Sequence, residues 1–376
     1  MCVVRLCVVL FFVFEGSAGQ SSPARHTPLR RVQKLHHVPS CGRGEGKRLA
    51  SAASRPVQQG KRSAPSPKHT ASESNVSTIA PLKKHRFSRP HRRKSWIPGI
   101  RRQSLRPGGP LTAEEDAWAI KYKELKIGRK IGQGNVGVVF FGKWKGTNVA
   151  VKKLLGSWFN DADMVARFRE EIHLMSTLRH PNVLLFIGAV LDPSAGNMCL
   201  VTEFCEHGNL YDFLHDPNEK MTWKMRLVMA TDTARAMAYL HRRAGIIQRD
   251  LKSANLLIAE GHHIKIADFG LSRRLAPPGQ AMETYCGTPA YMAPEIVRQE
   301  DYSETADVFS FSIILWELVT REKPYPNLAG LALAYAVAND NLRPSIPAYC
   351  PFELANLIEA CWDTNHKQAR SRRVCA

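Results

Sequence analysis

Residues 246–258 read IIQRDLKSANLLI, which sets an Asp, Asp250, five positions ahead of an Asn, Asn255, between apolar runs of strand-like character. This is the frame of a catalytic loop, and Gln248, two positions ahead of the Asp, is an unexpected residue in it. A second group lies upstream, where Gly132-Gln133-Gly134-Asn135-Val136-Gly137 forms G-x-G-x-x-G. A Rossmann turn shares this spacing but needs a helix directly after the glycines, and here Val138 and Val139 continue as a strand. A strand–loop–strand arrangement instead lets backbone amides close over phosphates. Fifteen residues after Gly137, Lys152 ends the run Val149-Ala150-Val151-Lys152. Burying a Lys in an apolar strand is costly without an anion, so phosphate or carboxylate contact is expected. An exposed strand face is the plain alternative.

Particular elements must position these residues. LKIGRKIGQGNVGVVFFGKWKGTNVAVKKL alternates apolar and polar residues on both sides of the polar turn Lys143 to Thr147, which predicts strands joined by hairpins. Met164, Phe168, Ile172 and Met175 recur at helical spacing between Asp161 and Leu178, with Asn160 or Asp161 as the N-cap. Glu171 lies on that helix within reach of Lys152, although solvent exposure is the default for a lone helical Glu.

The order of these parts carries a resemblance. Gly132, Gly134, Gly137 and Val139 precede Lys152, Glu171, the run Gln248-Arg249-Asp250-Leu251-Lys252-Ser253-Ala254-Asn255, then Asp268-Phe269-Gly270 and Ala293-Pro294-Glu295. The chain resembles a eukaryotic protein kinase domain over residues 121–362. HPNVLLFIGAV, LKSANLLI and DVFSFSIILWELVT resemble the tyrosine-kinase-like group, the Raf-like and mixed-lineage-like serine/threonine kinases. The resemblance implies an α+β, bilobal protein-kinase fold: a small β-rich N-lobe with one helix, a larger α-helical C-lobe, and ATP in the cleft between them.

It also implies roles. Phosphoryl transfer asks the protein to align two oxygens and to neutralise the charge on the transferred group. Lys152, held by Glu171, would orient the α- and β-phosphates. Asn255 and Asp268 are oxygen donors suited to Mg2+, with Mn2+ as the alternative. Asp250 would accept or orient the substrate hydroxyl, and Lys252 would balance charge on the γ-phosphate. Ile131, Gly132, Gln133, Gly134, Asn135, Val136 and Gly137 would cover the nucleotide. The hinge Glu203-Phe204-Cys205 would hold adenine through its backbone beside a gatekeeper Thr202, with Val139, Ala150 and Leu257 sandwiching the ring. Lys252 and CGTPAYMAPE, which contains Thr288, resemble serine/threonine kinases, in which the Thr hydroxyl bridges Asp250 and Lys252. Ser and Thr hydroxyls of protein substrates are therefore expected before Tyr. Arg249 is implied to receive a phosphorylated residue of the segment from Asp268 to Glu295. Thr284 is the first choice there, before Tyr285 or Ser272, with Arg273 or Arg274 adding charge; otherwise Thr284 is an ordinary exposed loop residue.

Two departures from the family pattern stand out. Gln248 replaces a His that, in the family, packs under the Phe of Asp-Phe-Gly and donates to nearby backbone. Gln keeps donors of its own while losing aromatic packing, so a stack of Phe186, Met175, Phe269 and Gln248 is expected to be looser, and Gln248→His to leave activity unchanged or raise it. In CWDTNHKQARSRRVCA, His366 stands near a Pro position and Arg370 falls one place from the Arg expected to meet Glu295, with the final helix missing. These departures support a second reading, a low-activity kinase-like scaffold that binds ATP.

Charge divides the chain. Residues 1–113 hold 22 of the 53 Lys and Arg but only three acids, Glu15, Glu45 and Glu73, so nearly all of the net charge of +20 sits there. Rich in Ser, Pro, Gly and His, residues 21–117 read as a disordered basic arm ahead of a kinase domain at 118–376. The densest part, LKKHRFSRPHRRKSW, suits an acidic partner met by charge: nucleic acid, a membrane surface or an import receptor. A solvated tail is the alternative, and a protein acting chiefly through this arm is a third functional class. Residues 1–20 have the layout of a secretory signal peptide, which suggests the secretory pathway. The nine cysteines, an odd number without CxxC spacing, suit reduced thiols and a cytoplasmic setting. No internal repeat is visible, and no apolar run is long enough for a transmembrane helix.

Overall fold

A computed structural model describes residues 113–134, 137–159, 161–192, 195–275 and 286–363. The signal-peptide reading, the arm as far as residue 112, Asn135, Val136, Asn160, Thr284, Tyr285, His366 and Arg370 lie outside the described residues.

The first lobe is one antiparallel sheet of β1 (Leu125–Gln133), β2 (Gly137–Trp144), β3 (Thr147–Leu154), β4 (Phe186–Asp192) and β5 (Asn197–Glu203), in the order β1-β2-β3-β5-β4. The polar turn between β2 and β3 closes at Lys145 (φ 48°) and Gly146 (φ 89°), the paired left-handed residues that suit a tight hairpin. Alternation along β3 buries Val149 and Val151 against Leu125, Val190, Cys199 and Val201, forming a core on one sheet face. Ala150 and Lys152 therefore take the opposite face. A short helix, α1 (Ala113–Trp118), leads into Ile120, whose N–H donates to Ala189 O at 2.8 Å, and Trp118 meets Phe186 edge to face at 5.5 Å. Gly188 is required there, since a Cβ would lie 2.6 Å from Trp118 O.

Helix α2 (Ala162–Thr177) follows β3, and the Asp161 side chain caps it by accepting from Asp163 N at 3.0 Å and Met164 N at 3.1 Å. Its buried stripe includes Val165, Phe168, Glu171, Ile172 and Met175, so Glu171 points inward with the apolar face.

The second lobe is mainly helical: α3 (Leu210–His215), α4 (Trp223–Tyr239), α5 (Pro294–Val297), α6 (Thr305–Thr320), α7 (Gly330–Asn339) and α8 (Phe352–Cys361). Two small antiparallel pairs, β6 (Ile246–Ile247) with β9 (Arg273–Arg274) and β7 (Leu256–Ile258) with β8 (Ile264–Ile266), line its upper edge. Helix α6 is buried from Ala306 to Val319, which makes it the lobe's central post. Guanidinium groups close the helix C-termini. Arg226 donates to Leu318 O at 2.8 Å and to Val319 O, Arg321 to Leu214 O at 3.0 Å, Arg298 to Ala338 O at 2.7 Å, and Arg343 to Val337 O at 3.0 Å and Trp362 O at 3.1 Å. One apolar cluster runs from α2 and β4 through to α8. Among the described residues, no helix is long and apolar enough to cross a membrane.

Candidate active site

The site forms where β3 and α2 of the first lobe face the loops around β6, β7 and β8 of the second. On the sheet side, Gly132 pairs with Val139 and Val139 with Lys152, and the Gly134 N–H donates to Gly137 O at 2.9 Å. Gly137 has no substitute, because a Cβ would stand 2.8 Å from Lys153 O. Ile131 and Gln133 are exposed at the end of β1. Ala150 pairs with Thr202, whose hydroxyl is buried and donates to Glu203 O at 3.2 Å. The Glu203 side chain turns aside to accept from Leu185 N at 2.7 Å and to pair with Lys265 at 2.9 Å. Its backbone is engaged as well, the N–H donating to Leu185 O at 3.1 Å while the carbonyl accepts from Thr202. Cys205 is buried, and burial pushes its thiol up to about 12. Leu257 lies in β7, bridged to Asn209.

The expected Lys–Glu pair is present. Lys152 Nζ lies 2.7 Å from Glu171 Oε1 and 3.1 Å from Asp268 Oδ1. Burial opposes the charge on Lys152, but the carboxylates of Glu171 and Asp268 outweigh it and hold the ammonium above its ordinary value. Asp268 responds in the opposite sense. Burial would raise it, yet Lys152 holds its carboxyl below the ordinary value. The two acids differ in depth, since the Glu171 side chain is 6% exposed and that of Asp268 49%. Glu171 therefore anchors the lysine, while Asp268 keeps a face open to the cleft.

A second set surrounds Asp250. Thr288 Oγ1 donates to Asp250 Oδ1 at 2.7 Å, and Lys252 Nζ donates to Asp250 Oδ2 at 2.7 Å and to Thr288 Oγ1 at 2.8 Å. Asn255 Nδ2 donates to Asp250 O at 2.8 Å, which commits its nitrogen and leaves its oxygen for a cation. The oxygens of Asn255 and Asp268 are a hard donor set of the kind Mg2+ takes, and Ala267 N–H bound to Asn255 O at 2.9 Å ties their two segments together. These residues fit the implied nucleotide and metal.

Gln248 is 1% exposed and fully engaged: Nε2 donates to Asp268 O at 2.8 Å and Ala267 O at 3.2 Å, and Oε1 accepts from Asp250 N at 2.7 Å. Phe186, Met175 and Phe269 are buried members of the large apolar cluster. Arg249 is buried, donating to Leu271 O at 2.6 Å and Tyr302 OH at 3.0 Å.

Sequence reasoning missed the supports below. Asp307 accepts the backbone N–H groups of Gln248 at 2.8 Å and Arg249 at 2.9 Å and pairs with His241 at 2.8 Å. Glu317 accepts from Tyr291 OH at 2.8 Å and Ser253 Oγ at 3.1 Å. The available signal was two acids in a mostly apolar helix, which are buried only when partnered.

Comparison with known proteins follows the same lines. Residues 125–373 match the family model described as protein tyrosine and serine/threonine kinase. The chain is 40% identical over 265 residues to the probable serine/threonine-protein kinase drkB of Dictyostelium discoideum, covering 70% of this chain and 38% of that protein. It is 41% identical over 249 residues to the probable serine/threonine-protein kinase SIS8 of Arabidopsis thaliana, covering 66% of this chain and 24% of that protein. It thus spans less than half the length of these relatives. With the family pattern matched over most of its length, this chain belongs to the protein tyrosine and serine/threonine kinase family.

Proposed function

We propose that the protein transfers the γ-phosphoryl group of ATP to Ser and Thr hydroxyls of protein substrates, as a member of the tyrosine-kinase-like group. The observation that carries this reading is the closed triangle of Asp250, Lys252 and Thr288, in which one Thr hydroxyl binds both the carboxylate and the ammonium. Bound ATP supplies the phosphoryl group, and Mg2+, in preference to Mn2+, offsets its charge. Asn255 and Asp268 would hold the metal, and Lys152, fixed by Glu171, would orient the phosphates. Asp250 aligns the acceptor hydroxyl and takes its proton as the new oxygen–phosphorus bond forms and the bond from the γ-phosphorus to the β–γ bridging oxygen breaks, releasing ADP, and Lys252 stands beside it to offset the transferred charge. The kinase names of relatives at about 40% identity support the same activity. Incubating the chain with radiolabelled ATP and a generic basic protein, then hydrolysing the product, should yield phosphoserine and phosphothreonine. Phosphotyrosine alone would overturn the assignment of acceptor.

Regulation by phosphorylation of Thr284 is part of the proposal. Burial, and after it the neighbouring Arg249 cation, holds the Arg273 guanidinium below its ordinary value, and an added phosphate would offset that charge. We also assign the basic arm an acidic partner and the catalytic domain a cytoplasmic setting; binding to nucleic acid or anionic vesicles retained by residues 22–113 alone would support the former.

A further inference from the structure

Gln248 links two segments that carry the chemistry. One end of its amide faces the carbonyls of Ala267 and Asp268, and the other faces the N–H of Asp250. The assignment of its nitrogen and oxygen is forced, because the reverse orientation would set an oxygen against two carbonyl oxygens and an NH2 against an N–H. The backbone on either side is unusual. Arg249, between Gln248 and Asp250, has φ 66°, and Asp268 has φ 56°, left-handed conformations that L-residues keep only where their surroundings hold them. The clamp is itself anchored: Gln248 N donates to Asp307 Oδ2 at 2.8 Å, and Ser272 Oγ donates to Gln248 O at 3.3 Å.

We propose that Gln248 is a positioning residue for phosphoryl transfer, whose three-bond amide clamp sets the Asp250 backbone against the Asp268 backbone and so registers the hydroxyl-side carboxylate with the metal-side carboxylate. The inference rests on the kinase reading of the site. It differs from the expectation that Gln is a loose substitute for His. A neutral imidazole has one N–H and one bare nitrogen, and an imidazolium has two N–H groups and no acceptor. Only the amide offers two donors and an acceptor together, so a His here must give up at least one of the three bonds.

The test compares the full chain with Gln248→Met, which keeps length without polar atoms, Gln248→Glu, which keeps the acceptor but at most one donor, and Gln248→His. Turnover should fall about tenfold or more in the Met and Glu variants and less in the His variant, with KM for ATP and affinity for Mg·ADP within about twofold of wild type. The stoichiometry of Mg·ADP binding, read beside these, reports the folded fraction, so that turnover per folded molecule separates positioning from a loss of fold. A Met variant with wild-type turnover, or a His variant more active than wild type, would overturn the clamp. Should a variant fail to fold, amide exchange in the unmodified chain decides: Asp250 N–H should be among the slowest in its loop, and rapid exchange there contradicts the proposal. If the unmodified chain transfers no more phosphate than Asp250→Asn, the kinase reading fails instead, while the exchange result still reports on the clamp.

Discussion

At the scale of residues, the site works by dividing labour between chemically similar groups. Glu171 and Asp268 both face Lys152, but only Asp268 is open to the cleft. Glu171→Gln should therefore misplace the lysine and lower turnover on the order of a hundredfold while leaving the fold intact, read by kinetics beside thermal melting. An unchanged rate would mean that Lys152 is held by Asp268 alone. Thr284→Ala should lower activity without abolishing ATP binding, and phosphatase should inhibit wild type but not this variant. Mass spectrometry of active protein with Thr284 unmodified would remove the switch. Much at this scale was legible in the sequence, because Lys152, Asp250, Asn255 and Asp268 fall in the ordered series of motifs that carries the resemblance to protein kinases. The partners of Gln248 were not, since hydrogen bonds to the backbone of a segment twenty residues away leave no trace in residue type.

At the scale of elements, α6 supports the catalytic loop through two buried acids. Burial pushes the Glu317 carboxyl up to about 8, with Tyr291 and Ser253 pulling it back. A raised folded value means that between about pH 4.3, the ordinary value for Glu, and about pH 8 the folded chain holds a proton the unfolded chain has released. Stability from this group is thus greatest at low pH, falls as pH rises through that window, and is level above it. Glu317→Gln should remove that fall, so that the melting temperature of the variant gains on wild type between pH 5 and pH 8; parallel curves would show that the carboxyl is not perturbed. Hairpin β2–β3 and helix α2 were legible because alternation, a polar turn and an N-cap are local signals. The role of α6 was hidden, because a helix buried on all sides reveals depth but not which polar group each of its acids meets.

At the scale of the whole molecule, the two lobes are built by different rules. The first lobe is a sheet with a small core on one face, and the second is a set of helices around α6 whose ends are closed by arginines. Arg343 joins the ends of α7 and α8, so Arg343→Ala should leave carbonyls at both without a donor and cost about 1–3 kcal/mol, seen as a lower melting temperature with little change in turnover per folded molecule. A neutral effect would mean that water replaces the guanidinium. The bilobal α+β fold was foreseeable from the order of motifs, whereas these arginine contacts were not, because they join residues distant in the chain and resemble ordinary surface charges in sequence.

We propose that Asp250 serves the hydroxyl and Asp268 the metal within one phosphotransferase site. The most direct test measures phosphoryl transfer and nucleotide affinity, with and without Mg2+, for wild type, Asp250→Asn and Asp268→Ala. Asp250→Asn should lose transfer yet bind Mg·ATP as wild type does, while Asp268→Ala should lose transfer together with the metal-dependent part of nucleotide binding. Equal transfer in all three proteins, or equal loss of nucleotide binding in both variants, would contradict that division.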